Sequence, residues 1–209
     1  MKQSIAKALL EIGAVGFSPA APITFKSGIR SPIYVDNRQL IYFPAAWRLV
    51  IDAFRSLIES LSLEYDIIAG VAVGGVPHSS ALAYSMKIPS VFIRKETKAH
   101  GAGNRIEGGS VDGRRVILVE DLVTTGGSSL SAVDCLRESG ARVDDVLAIV
   151  SYGFHESEAA FGRANLCLHT LTDFETLLER ARASQALDAE QIELIRRWLA
   201  DPYVWAAPA

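Results

Sequence analysis

Val116-Ile117-Leu118-Val119-Glu120-Asp121-Leu122-Val123-Thr124-Thr125-Gly126-Gly127-Ser128-Ser129-Leu130 decides how this 209-residue chain is built. Val116 to Val119 is a short apolar run, mostly β-branched, the pattern of a strand buried on both faces of a parallel sheet. Glu120 and Asp121 follow where that strand is expected to leave the sheet. Thr124 to Ser129 then set two glycines among four hydroxyls. Leu130, Val133 and Leu136 recur at helical spacing up to Gly140, a stop signal. The unit reads strand, acidic corner, hydroxyl-glycine loop, helix.

Such a loop at a helix N-terminus forms a phosphate cradle, because first-turn N–H groups lack intrahelical partners and the helix dipole favours an anion. Gly126 and Gly127 let the main chain approach the ligand, and Thr124, Thr125, Ser128 and Ser129 add hydroxyl donors. Glu120 and Asp121 would repel a phosphate they touched, so they are expected to face sugar hydroxyls of the same ligand, directly or through a divalent metal. Serine, threonine and glycine are also ordinary capping and turn residues, so the loop alone leaves both readings open.

The stretch from Val116 to Ser129 resembles the phosphoribosyl-pyrophosphate motif of type I phosphoribosyltransferases, with Glu-Asp in place of the usual Asp-Asp, a variant found in the orotate branch. The resemblance implies that Glu120 and Asp121 hold the ribose hydroxyls. It also implies that Leu122, Val123, Thr124, Thr125, Gly126, Gly127 and Ser128 surround the 5-phosphate. A second match lies far upstream. Phe25-Lys26-Ser27-Gly28, followed by Ser31-Pro32-Ile33-Tyr34-Val35-Asp36-Asn37-Arg38, resembles the N-terminal hood of the orotate phosphoribosyltransferases. That likeness implies that Lys26 reaches into the site and, with Thr124, contacts orotate.

Composition is compatible with this reading. Hydrophobic residues make up 49% of the chain and mean hydropathy is +0.21, enough for one sizeable α/β core over residues 1–209. A net charge of −3 argues against a general nucleic-acid binder. The N-terminus lacks a signal peptide's apolar core, and no run approaches membrane-spanning length. Cys135 and Cys167, each in an apolar context, are expected to be buried reduced thiols in a cytoplasmic protein.

Along the chain, Ile5, Leu9 and Ile12 predict a helix from Lys2, stopped by Gly13. Ile23-Thr24-Phe25 and Ser31 to Asp36 predict a hairpin or paired edge segment, within a hood spanning roughly residues 14–40. Pro44 opens a helix whose stripe is Trp47, Val50, Ile51, Phe54 and Ile58. Asp66 to Ala72 reads as a core strand ending in a ligand-facing turn, Val73-Gly74-Gly75. Many orotate enzymes carry a lysine at the place of Gly74, so only main chain is expected to serve here. His78 reads as a helix-start residue.

Ser90 to Ile93 predicts a strand, after which Arg94, Lys95, Lys98, His100 and Arg105 arrive among glycines. The polar, glycine-rich segment over residues 95–109 predicts a mobile loop with the right sign to close over a pyrophosphate. It resembles the catalytic loop of the orotate phosphoribosyltransferases, which implies that Arg94, Lys95, Lys98 and His100 bind phosphoribosyl pyrophosphate, that Lys98, His100 and Asp121 act in catalysis, and that the loop is shared across a homodimer. After the strand Val146 to Val150, the Asp-Arg pair of better-known orotate enzymes is missing. Tyr152, His155, or the hood and backbone amides are left as holders of the orotate carboxylate. Thr172 to Glu175 and Asp188 with Gln191 predict capping boxes.

The expected fold is α/β: a type I phosphoribosyltransferase fold with a mainly parallel central sheet flanked by helices and an N-terminal hood. The expected activity is transfer of ribose 5-phosphate from phosphoribosyl pyrophosphate to orotate, with Mg²⁺ carried by the substrate rather than by a protein cage. The alternatives are a phosphoribosyltransferase for another base, against which the hood argues, and a non-catalytic phosphoribosyl-pyrophosphate-sensing regulator, which would not need the basic loop.

Overall fold

A computed structural model describes residues 1–24, 30–95, 105–203 and 205. Its elements in order are α1 (Lys2–Glu11), β1 (Val15–Phe17), β2 (Ile23–Thr24), β3 (Arg30–Ser31), β4 (Ile33–Val35), a 3-10 helix (Asn37–Tyr42), α2 (Pro44–Ser60), β5 (Ile67–Val71), α3 (Gly75–Met86), β6 (Ser90–Ile93), β7 (Ile106–Glu107), β8 (Val116–Val123), α4 (Gly127–Glu138), β9 (Asp145–Ser151), α5 (His155–Arg163), β10 (Cys167–Thr170), α6 (Phe174–Ala183) and α7 (Ala189–Ala200).

Strand–helix alternation produces a six-stranded sheet of order β10-β9-β8-β5-β6-β7, parallel except for the antiparallel β6–β7 pair. Period-2 alternation sorts its apolar side chains between two cores. Ile117, Val119, Leu147 and Ile149 face the larger one with α1, α2, α6 and α7, whereas Val116, Leu118, Val146 and Ala148 face α4 and α5. The central strands are buried on both faces, which is why they read as unbroken apolar runs.

The hood is an antiparallel ribbon. β2 pairs with β3, as the predicted hairpin requires, but Ile33–Val35 pairs with Val15–Phe17, a strand the sequence did not single out. The last helix anchors this ribbon: fully buried Trp198 donates its indole N–H to the carbonyl of Arg30 at 2.7 Å.

Four expectations are corrected. The strand predicted to end at Val119 continues through both acids to Val123, because β9 pairs with it as far as Val123↔Ser151. The far end of the expected 95–109 loop is strand, since Ile106 and Glu107 pair with Ile93 and Phe92 and Ile106 is buried. The cap of α6 is Asp173, whose carboxylate accepts from the Thr176 N–H, so no capping box starts at Thr172. Cys167 is exposed and Cys135 half-buried, because Cys167 lies on the edge strand β10, with no strand beyond it; both thiols are free. The box formed by Asp188 and Gln191 is present as predicted.

Candidate active site

The parallel strands point their carboxyl ends at one edge of the sheet, where open α/β sheets bind ligands. Three connections meet there: β5 to α3, β8 to α4, and the segment leaving β6.

The β8–α4 connection is shaped for an anion. Gly126 adopts a left-handed φ of +84°, and a Cβ at that position would lie 2.7 Å from the Phe161 ring, so glycine is required on two counts. No side chain caps α4. The first helical bond runs from the Leu130 N–H to Gly126, leaving the N–H groups of Gly127, Ser128 and Ser129 for a ligand.

Ahead of the loop stand the two acids. Glu120 is only 7% exposed, its Oε2 has no hydrogen-bond partner, and desolvation pushes its pKa up to about 9. The negative charge of Asp121 adds to that rise, while a hydrogen bond from Ser128 opposes it. Burial likewise raises the pKa of Asp121. The Asp121 carboxylate lies against Gly74, where any Cβ would overlap it, and Gly75 passes equally close to the Val119 carbonyl. The turn before α3 therefore rests directly on the acids. This gives Gly74 a reason beyond main-chain contact: it leaves room for the Asp121 carboxylate.

From the hood, fully buried Asn37 donates its side-chain amide to the Asp121 carbonyl at 2.7 Å, while its Oδ1 is left without a partner. Sequence reasoning quoted Asn37 but assigned it nothing. Its only signal was its place between Asp36 and Arg38, which pair with each other at 2.6 Å.

On the far side, Arg94 and Lys95 line a cavity of about 360 Å³ together with Arg105, Ala72, Gly127 and Ser128. Arg94, Lys95 and Arg105 thus share one space with the N-terminus of α4. Arg94 also pairs with Glu107 at 3.6 Å, and Arg105, expected as one of the loop's cations, donates to the Arg94 and Ser131 carbonyls. Lys26, Lys98 and His100 lie outside the described residues.

Three candidates resolve as structural or remote. His78 is buried in α3, accepts from the Trp47 indole at 3.1 Å, and is held to a pKa of about 4 by desolvation, so it is neutral near pH 7. Tyr152 stacks between Phe154 and Phe174 at ring separations of 5.3 and 4.7 Å and is buried. His155 is solvent-exposed beside Glu158. Neither of the last two is arranged as a substitute for an arginine on a ligand carboxylate.

An acid pair, an uncapped helix N-terminus and a cationic rim meet at one sheet edge, and the phosphoribosyl transferase domain family matches residues 38–159. The chain belongs to that family, and within it to the orotate phosphoribosyltransferases. An orotate phosphoribosyltransferase of Bacillus caldolyticus is 41% identical over 207 residues, covering 99% of this chain and 100% of the relative. Among solved structures, the Aeropyrum pernix orotate phosphoribosyltransferase has a TM-score of 0.75 at 30% identity, over 86% of this chain and 98% of that one. Leishmania donovani UMP synthase gives 0.81 at 30% identity, over 95% of this chain and 42% of that longer one.

Proposed function

We propose that this chain transfers ribose 5-phosphate from phosphoribosyl pyrophosphate to orotate, yielding orotidine 5′-monophosphate and pyrophosphate for UMP synthesis. The observation that carries the residue assignment is the uncapped N-terminus of α4 beside two desolvated acids on β8. Thr124, Thr125, Gly126, Gly127 and Ser128, with the Leu122 and Val123 main chain, hold the 5-phosphate. Glu120 and Asp121 hold the ribose hydroxyls, and the negative charge of the Asp121 carboxylate favours the oxocarbenium-like ribose formed as the C1–O bond to pyrophosphate stretches.

Arg94, Lys95, Lys98 and His100 receive the departing pyrophosphate, and closure of their segment excludes water from the activated sugar. Lys26 and Thr124 contact orotate. Tyr152 is packed away, which favours the hood and main-chain amides as holders of its carboxylate.

Mg²⁺ fits this corner, since Glu120 and Asp121 offer hard oxygen donors and Glu120 Oε2 lacks a partner. Carried in by the substrate, Mg²⁺ would supply charge neutralisation at the leaving group. A homodimer, with the basic segment shared across its interface, belongs to the same reading. The free thiols support a reducing, cytoplasmic setting. The test is loss of orotate ultraviolet absorbance on adding phosphoribosyl pyrophosphate and Mg²⁺, run beside uracil and purine bases. Turnover of another base but not orotate overturns the assignment.

A further inference from the structure

The end of the sheet opposite the active site carries a second cluster of chemically distinctive side chains. Asp145 opens β9, and Cys167 and His169 lie on the edge strand β10, with Cys167 directly opposite Asp145 in the parallel register. Residues two apart on a strand project to the same side, so Cys167 and His169 share a face. His169 Nε2 reaches Asp145 Oδ1 at 2.8 Å, and a sulfur, a ring nitrogen and a carboxylate oxygen all lie within 4.8 Å of one another. It is the single such group among the described residues. Because β8, β9 and β10 run parallel, the cluster sits at their amino ends. The seven-residue strand β9 separates it from the catalytic loops by roughly 20 Å.

We propose that Asp145, Cys167 and His169 form a binding site for a borderline-soft divalent cation of the zinc type. Thiolate, imidazole and carboxylate are the donor set such an ion selects, and a hard cation such as Mg²⁺ is disfavoured by the thiolate. Tetrahedral bonds of about 2.0–2.3 Å require ligand atoms roughly 3.3–3.8 Å apart. Side-chain rotation of Cys167 and Asp145 reaches that spacing from the observed one, because register already holds the backbones side by side. Exposure of Cys167 admits the ion and leaves a fourth position for water. The bound ion would cross-link β10 to β9, stabilising the sheet edge without taking part in phosphoribosyl transfer.

The test uses the full chain stripped with a chelator and titrated with zinc by calorimetry and thermal unfolding, with Mg²⁺ in parallel. One zinc per chain is expected, at a Kd of about 1 µM or tighter, with Tm raised by several degrees and no effect of Mg²⁺. Cys167→Ser and His169→Gln should each weaken binding at least roughly tenfold while retaining the metal-free Tm and orotate-consuming activity. With cobalt(II), the thiolate charge-transfer band should appear in the parent and vanish in Cys167→Ser. Stoichiometric binding that survives the double variant, or a parent that binds no zinc, overturns the proposal.

Discussion

The side-chain amide of Asn37 donates to the main-chain carbonyl of Asp121 at 2.7 Å, so a hood residue holds the backbone of an acid on the central strand. Asn37 is fully buried and lies at the start of the 3-10 helix that leads from the hood into α2. Asn37→Ala leaves the Asp121 carbonyl unsatisfied and should cost about 1–3 kcal/mol of stability. Because the carbonyl belongs to the acid proposed to hold the sugar, kcat/KM should fall at least roughly tenfold as well. Urea unfolding and steady-state kinetics measure the two; a loss of stability with kinetics unchanged in the folded fraction would assign Asn37 to folding alone.

Gly74 allows the Asp121 carboxylate to rest against the turn before α3. In Gly74→Ala the added methyl displaces the end of a side chain rather than backbone, so Tm should move by no more than a few degrees. The KM for phosphoribosyl pyrophosphate should rise about tenfold, the scale of one lost group of hydrogen bonds to a sugar. An unchanged KM would show that Asp121 does not need its observed position.

Glu120 makes stability depend on pH in a stated direction. Its pKa of about 9 in the fold lies above its ordinary value of 4.5, so below pH 4.5 both states are protonated and no penalty exists. Between 4.5 and 9 the unfolded chain releases a proton that the fold retains. Stability therefore falls as pH rises, by at most about 1.4 kcal/mol per pH unit from this group. Glu120→Gln should flatten that slope, matching the parent at pH 4 and exceeding its Tm at pH 8, while weakening phosphoribosyl-pyrophosphate binding. Parallel Tm curves for parent and variant from pH 4 to 9 would contradict the buried acid's role.

Lys98 is assigned to the departing pyrophosphate. Lys98→Ala should lower kcat by about 10²–10³, the scale of one charge-stabilising donor, with Tm within a degree or two of the parent. A kcat equal to the parent's would remove that segment from the chemistry.

The sequence by itself determined the strand–loop–helix units, the glycine-bearing connection between β8 and α4 and the two acids ahead of it, because period-2 and period-3.6 patterns and glycine turn signals are local properties of the chain. Only the tertiary structure decided that β8 runs on through Glu120 and Asp121, since that continuation depends on pairing with β9. It likewise brought Val15–Phe17 to Ile33–Val35, Asn37 and Gly74 to Asp121, and Asp145 to Cys167 and His169. These are contacts between residues distant in sequence. No local pattern encodes such partners, because they are selected by register and burial once the sheet has formed.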